Sequence, residues 1–412
     1  MPTSNNTTLI TGLAAAAAGS LVTAIFMNKC NKTTRFPATQ QTREDAETIL
    51  YPDYDYENDP KRSFVKMCDY LIEEIKEELP RHYDLPPRET SWIIDMLNYN
   101  VKGGKMNRGL MVVDAGVLML GGPKNVDNTT LARLAILGWA IEWLQAWLLV
   151  ADDIMDSSVT RRGQPCWYKN KALGDAWYIA INDAFTIESL VYKMIKRHFA
   201  YDKDVLLQLL DLMMETTLQT ELGQLSDTLC DVLSLKELTP SRWKLIVQYK
   251  TSYYSFYLSV AMAMVVAGVK DKQAFNAARE ILVTMGVYFQ AQDDYLDCYG
   301  TPEQIGKIGT DIQDKKCGWL FTKAYHELCS KEQRAFLDQH YGKCKVGSKE
   351  EQDIKKLYTE LGLPKLYEKY EQDSYDTIMA LRDSEAGATL QSAGVPWQVF
   401  ETFLQKVYKR SK

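Results

Sequence analysis

Histidine is scarce, with four in 412 residues, and the eight cysteines form no CxxC pair. Both gaps argue against a zinc site, which draws on closely spaced Cys and His. Cys30, Cys68, Cys166, Cys230, Cys298, Cys317, Cys329 and Cys344 read as reduced packing residues of a protein facing the cytosol or an organelle interior. No glycine-rich loop of the GxGxxG or GxxxxGK[ST] type follows a strand, so a nucleotide-binding fold has no motif to rest on. A basic excess is missing too. The 48 Lys and Arg stand against 54 Asp and Glu, for a net charge of −6. That balance argues against a nucleic-acid partner.

Acids are absent from residues 1–43. Inside that region residues 9–27, LITGLAAAAAGSLVTAIFM, are uncharged and mostly apolar, and Lys29, Lys32 and Arg35 follow at once. At the helical rise this stretch just crosses a bilayer core of roughly 30 Å. Positive charge on the C-terminal flank alone would keep the rest of the chain on the cytosolic side. The expectation is a membrane anchor with a cytosol-facing protein behind it. A cleaved organelle-targeting peptide and a loosely ordered Ala-rich extension are the alternatives. Residues 1–45 then form the anchor or targeting segment plus a polar linker, and residues 46–412 the main domain.

What the main domain has in abundance is helical spacing. FVKMCDYLIEEIKEEL (64–79) puts Met67, Leu71, Ile72 and Ile75 on one stripe with charges opposite. Residues 128–156, 205–225 and 274–297 follow the same logic, and Gly/Pro stretches at 121–125 and 299–306 punctuate them. The prediction is one all-α domain of about ten or more helices.

Two of these helices end alike, in VADDIMD (150–156) and AQDDYLD (291–297). On a helix, positions i and i+4 share a face, so Asp152 lines up with Asp156 and Asp293 with Asp297. Like charges at that spacing destabilise a helix unless something neutralises them. Carboxylate oxygens suit Mg²⁺, which bridges carboxylates to phosphate oxygens. One DDxxD alone is common on solvated helix ends. Two, each closing an apolar run, point to metal and diphosphate. Basic residues lie close in sequence: Arg161 and Arg162 after the first motif, Lys307 and Lys316 after the second, Lys105 and Arg108 in GGKMNRGL, and Lys250 in YKTSYYSFY. They suit two anionic groups, one bound through metal and one held directly by Lys105, Arg108 and Arg162. Arginine's planar fork matches phosphate oxygens.

The stretches GGKMNRG, EWLQAWLLVADDIMDSSVTRRGQPCWY, LGQLSD, YKTSYYSFY, FQAQDDYLD, GKIGTDIQDKKCGWL and the terminal YKRSK together resemble the trans-isoprenyl diphosphate synthases, the farnesyl diphosphate synthases among them. The resemblance runs over about residues 46–412. It implies an isoprenoid-synthase-type helical bundle around a central apolar cavity. It also implies head-to-tail coupling of isopentenyl diphosphate to dimethylallyl and geranyl diphosphate, and a homodimer. By resemblance, Asp152, Asp156 and Asp293 would ligate Mg²⁺ directly, with Asp153, Asp294 and Asp297 completing the shell. Three ions per site are expected, with Mn²⁺ as an alternative. Arg161, Lys250, Lys307 and Lys316 would hold the allylic diphosphate, and Lys105, Arg108, Gln145 and Arg162 isopentenyl diphosphate. Thr251 and Gln290 would lie beside the reacting carbons. Arg410 matches a C-terminal arginine that helps close the second site, although Ser411 stands where the family ending is usually basic.

Such chemistry needs a neutralised leaving group and a dry slot for the allylic cation. It needs no nucleophilic histidine or cysteine. Trp147 and Leu148 precede the first motif by about one helical turn of 5.4 Å, close to one isoprene unit. A floor there predicts a fifteen-carbon product. Typical animal and plant farnesyl enzymes carry aromatic residues at both positions, and Leu148 departs from that. The alternatives are a twenty-carbon or mixed product, an irregular coupling enzyme, a terpene cyclase, and a silent partner subunit.

Overall fold

The computed structural model describes residues 49–301 and 309–408, and it has the expected all-α architecture. Helices α1 (Pro60–Tyr83), α2 (Pro87–Asn100), α3 (Asn107–Met119) and α4 (Asn128–Met155) come first. A hairpin of β1 (Thr160–Arg161) and β2 (Gln164–Pro165) follows, with Arg161 paired to Gln164; it is the only sheet among the described residues. Then come α5 (Ile179–Phe199), α6 (Lys203–Thr228), α7 (Pro240–Ile246), a π-helical segment (Val247–Tyr257), α8 (Leu258–Val266) and α9 (Lys272–Tyr299). The C-terminal part adds α10 (Trp319–Lys323), α11 (Lys331–His340), α12 (Lys349–Glu360), α13 (Leu363–Ala380), α14 (Glu385–Ser392) and α15 (Gln398–Val407).

The four stretches chosen by spacing fall in α1, α4, α6 and α9, and the stripe Met67, Leu71, Ile72 and Ile75 is buried. Helix α4 starts where the Asp127 carboxylate accepts the Thr130 backbone N–H at 2.7 Å, satisfying one of the unpaired first-turn donors. It then runs apolar on nearly every face, with Trp139 and Trp143 fully buried. By length and composition α4 could cross a membrane, yet most of it is buried inside the protein. It is a core helix, hydrophobic all round because neighbours surround it.

The π-helical segment was not legible from spacing. It lies between α6 and α9. Gly223 on α6 and Gly286 on α9 make the approach feasible: a Cβ at either would collide with the segment, at Lys250 and Ser252 respectively. A π turn carries an extra residue, so it shifts the side-chain register, and such turns recur at functional sites. Here the segment carries Lys250 and Thr251.

Among the described residues the core forms two clusters. The larger includes Phe64, Trp139, Trp143, Tyr288 and Phe400, and the smaller gathers Trp319, Phe321 and Tyr358. Residues 1–45 with their apolar stretch 9–27, the domain boundary drawn at 45, Lys307 and Arg410 lie outside the described residues.

Candidate active site

Aspartates at the C-terminal end of a helix are badly placed, because the helix dipole is already negative there. Asp152 and Asp153 lie in the last turn of α4 and Asp156 caps it, while Asp293, Asp294 and Asp297 lie near the end of α9. The structure balances the two ends in different ways.

At the first, cations converge. Lys250 Nζ donates to Asp152 Oδ1 at 3.1 Å and to Asp227 Oδ2 at 2.6 Å. Lys316 Nζ donates to Asp156 Oδ2 at 3.0 Å and to Asp227 Oδ2 at 3.1 Å. Arg161 turns back from β1, with Nε 3.1 Å from Asp153 Oδ1 and Nη2 3.5 Å from Asp152 Oδ2. Burial works to raise the Asp152 and Asp227 carboxyls. The lysines, joined at Asp152 by Arg161, outweigh it and hold both below the ordinary value. Asp156 goes the other way: burial and the neighbouring Asp152 charge raise it despite Lys316.

At the second, Asp294 is held by neutral donors. Asp294 is buried. Its Oδ2 accepts the Trp243 indole N–H at 2.9 Å and the Trp319 backbone N–H at 2.7 Å, and its Oδ1 accepts from Gln290 Nε2 at 3.0 Å. Burial outweighs these bonds and pushes its carboxyl up to about 6. Gln290, so oriented, accepts the Thr251 hydroxyl on Oε1 at 3.1 Å. Asp297 is buried and accepts the Asp311 backbone N–H at 3.0 Å, whereas Asp293 is exposed.

A cavity of about 570 Å³ opens between these groups. Asp152, Asp156, Arg161, Lys250, Lys316 and Gln290 are among its walls, with Thr251, Asp294 and Asp227. A second cavity of about 140 Å³ shares Arg161 and is lined by Arg162, Asp153, Lys102, Gly103 and Gly104, among others. Lys105, Arg108 and Gln145 are not among its lining residues. Arg108 stands at the start of α3, its Nε donating to Ser255 Oγ at 2.9 Å and its guanidinium 5.1 Å from the Tyr254 ring centre. Lys105 is exposed just before α3, and Gln145 is half-buried on α4. Beneath Arg108, Glu142 Oε1 accepts the Gly109 backbone N–H at 2.9 Å. Burial raises the Glu142 carboxyl despite Arg108 beside it.

Trp147 is buried in the larger core and Leu148 packs against it half-buried. Neither lines either cavity. The sequence reading passed over Asp227 and Gln224, which donates to Asp152 Oδ1 at 3.0 Å. Their signal was present in LGQLSD, where QxxD spacing puts both on one helical face. Trp243 had no such signal, because its role depends on an indole N–H from α7 reaching Asp294 on α9.

The donor set fits a divalent cation. It is all oxygen, and Asp152 and Asp156 are one turn apart with their charges in conflict. No three His, Cys, Asp or Glu side chains among the described residues form a metal-binding group.

Comparison with known proteins gives the same direction. The polyprenyl synthetase family model matches residues 90–361. The chain is 46% identical over 356 residues to the farnesyl pyrophosphate synthase of Saccharomyces cerevisiae, covering 85% of this chain and 98% of that protein. It is 43% identical to the farnesyl diphosphate synthase of Dictyostelium discoideum, covering 84% and 89% respectively. Among solved structures, T. brucei farnesyl diphosphate synthase complexed with risedronate superposes with a TM-score of 0.76 at 33% identity, covering 86% of this chain and 100% of that one.

Proposed function

The chain belongs to the polyprenyl synthetase family, and on that premise we propose that it is a prenyltransferase forming farnesyl diphosphate. Isopentenyl diphosphate condenses head to tail with dimethylallyl and then geranyl diphosphate. The observation that carries this reading is the pair of cation-lined cavities sharing Arg161. A coupling enzyme needs two diphosphate sites, and a terpene cyclase needs one. A silent subunit would have no use for the full set of carboxylates.

The allylic diphosphate belongs in the larger cavity. Lys250 and Lys316 now bridge aspartates there, and their donors can turn to phosphate oxygens when the substrate arrives. Arg161 adds a fixed fork, aimed by Asp153. Asp152, Asp156 and Asp293 would hold the divalent ions, which we take as three Mg²⁺, and when bound these supply neutralisation of the departing diphosphate. Asp153, Asp294 and Asp297 back that shell, and Asp153 and Asp294 also orient Arg161 and Gln290. As the carbon–oxygen bond breaks, Thr251 and Gln290 present oxygen dipoles to the allylic cation. Arg162, Arg108, Lys105 and Gln145 hold isopentenyl diphosphate, whose double bond attacks. The released diphosphate takes the final proton. Lys307 joins the allylic set and Arg410 closes the second site.

The working unit is a homodimer. Met214, Leu218, Leu222 and Leu225 are exposed along α6, with Ile181 and Phe185 exposed on α5. An apolar stripe of this kind is a feature of subunit contacts. Light scattering on the purified chain tests it, with one-protomer mass as the failing result. Residues 9–27 anchor the chain to a membrane with the catalytic helices facing the cytosol; carbonate extraction of the full chain and of a form lacking those residues tests that.

The decisive assay supplies the full chain with isopentenyl diphosphate, Mg²⁺ and either allylic diphosphate, and reads the dephosphorylated products by mass spectrometry. Farnesol is expected. Geranylgeraniol would overturn the product length, a branched or cyclic product the coupling mode, and no product the enzyme itself.

A further inference from the structure

The hairpin that delivers Arg161 and Arg162 cannot hold itself. Each strand is two residues long, and an isolated ribbon even of ordinary length is marginal in water. Its turn works against local preference. Arg162 sits in the left-handed region at φ 53°, with Ser157 at φ 53° just before the hairpin, a conformation unfavourable for side chains other than glycine. Its position is therefore imposed from outside.

Besides Arg161, bonded to Asp153 and Asp152, three further anchors hold the hairpin. Tyr99 on α2 donates its hydroxyl to the Pro165 carbonyl at 2.7 Å. Arg162 Nη1 donates to the Asn100 and Lys102 carbonyls at 3.2 and 3.0 Å. The third anchor is the buried one. Asp183 on α5 is 2% exposed, and its two carboxylate oxygens accept separate indole N–H groups: Trp92 on α2 at 3.0 Å and Trp167, just past the hairpin, at 2.8 Å. The Trp92 and Trp167 rings lie 5.9 Å apart, and Trp167 also packs 5.1 Å from Tyr99.

A buried carboxylate met by neutral donors is costly to maintain. Packing alone would be served as well by an apolar residue. What a carboxylate offers is two acceptors in one plane, which fix two indoles relative to each other. We propose that Asp183 is a positioning residue: through Trp167 it ties the arginine hairpin to α2 and α5, and so sets where Arg161 and Arg162 meet their diphosphates. The role of those arginines rests on the functional reading above; the anchoring itself does not.

The test compares Asp183→Asn, which keeps one acceptor and loses the other, with Trp167→Phe, which keeps an aromatic ring and loses the N–H. Glu74→Gln is the control. Glu74 is a mostly buried carboxylate on α1 bonded to His198 and Arg197, and it lines neither cavity. Hydrogen–deuterium exchange of residues 159–167 should speed up about tenfold in Asp183→Asn, as expected for loss of one buried charge-assisted bond, and in the same direction in Trp167→Phe. It should be unchanged in Glu74→Gln even where that control melts lower. KM for isopentenyl diphosphate should rise about three- to tenfold in the two hairpin variants and not in the control. Unchanged hairpin exchange in both variants, or equal KM increases in the control, would overturn the proposal. If Asp183→Asn does not fold, Trp167→Phe decides alone. If the wild type forms no product, the functional reading fails while exchange still decides the anchoring.

Discussion

The two aspartate-rich turns share a pattern and almost nothing else. Asp152 and Asp156 line a cavity and are bridged by lysines, and the buried Asp153 by Arg161; in the second motif Asp294, the counterpart of Asp153, lines the same cavity but is bonded by neutral N–H donors. The first arrangement is labile, since a lysine paired to a carboxylate can exchange it for a phosphate oxygen. The second is fixed, since an indole and a backbone amide have no better partner to turn to. The shared pattern therefore conceals different partners: Asp152 and Asp156 meet lysines that can exchange them for phosphate oxygens, and Asp294 holds Gln290 and Trp243 in place.

The strongest way to break that comparison is to neutralise one aspartate in each motif. Asp152→Asn should lower kcat by about 10³-fold, the upper range for losing one electrostatic group at a reacting centre, with little change in melting temperature. Asp294→Asn should cost less in rate, about 10- to 100-fold, but should destabilise the fold, because an amide N–H₂ then faces the donors that Asp294 now satisfies. Similar rates and similar melting for the two would remove the distinction.

Asp227 sharpens the first half of the comparison. Both lysines share its carboxylate. Asp227→Asn should leave two ammonium groups facing each other and lower kcat/KM by about 10- to 100-fold. Steady-state rates against the allylic substrate measure it, and wild-type rates would return Asp227 to a packing role.

A gentler perturbation is pH. Asp294 is pushed up to about 6 in the folded chain, above its ordinary value near 3.9 when unfolded. A raised carboxyl binds its proton more tightly when folded. Its contribution to stability is therefore lost as pH rises through that window and is regained as pH falls from about 6 toward 4. The amide introduced by Asp294→Asn cannot titrate, so the melting gap between wild type and that variant should widen on going from pH 7 to pH 5 in chelator-containing buffer. A constant gap would mean that Asp294 ionises normally.

Much of this was legible in the letters. The apolar period located α1, α4, α6 and α9, and the DDxxD spacing located both helix ends. What escaped was whatever depends on distant backbone. The π-helical segment packs closely where Gly223 and Gly286 on other helices leave room, and the environment of Asp294 is set by Trp243 and Trp319. The shared DDxxD pattern cannot say which groups meet Asp152 or Asp294, because those groups arrive on other elements.

The comparison extends one turn back along each helix, where the smallest effect on rate but a clear effect on product is expected. Trp147 and Leu148 precede Asp152 at the same spacing as Tyr288 and Phe289 precede Asp293. Tyr288 is tied down: its hydroxyl donates to Glu371 at 2.8 Å, and Phe289 stacks edge-on to Phe256 with centres 5.4 Å apart. Trp147 is buried in the core about one turn before Asp152 and lines neither cavity, and the proposed fifteen-carbon product puts the stop for a growing chain at its bulk. One turn is about 5.4 Å, roughly one isoprene unit. Trp147→Ala should therefore move product from fifteen toward twenty carbons while changing total turnover by less than about tenfold. Tyr288→Phe should leave chain length unchanged and lower stability modestly, by about 1 kcal/mol for a lost buried hydrogen bond. An unchanged product from Trp147→Ala would mean that the floor lies elsewhere, and longer product from Tyr288→Phe would place it on α9.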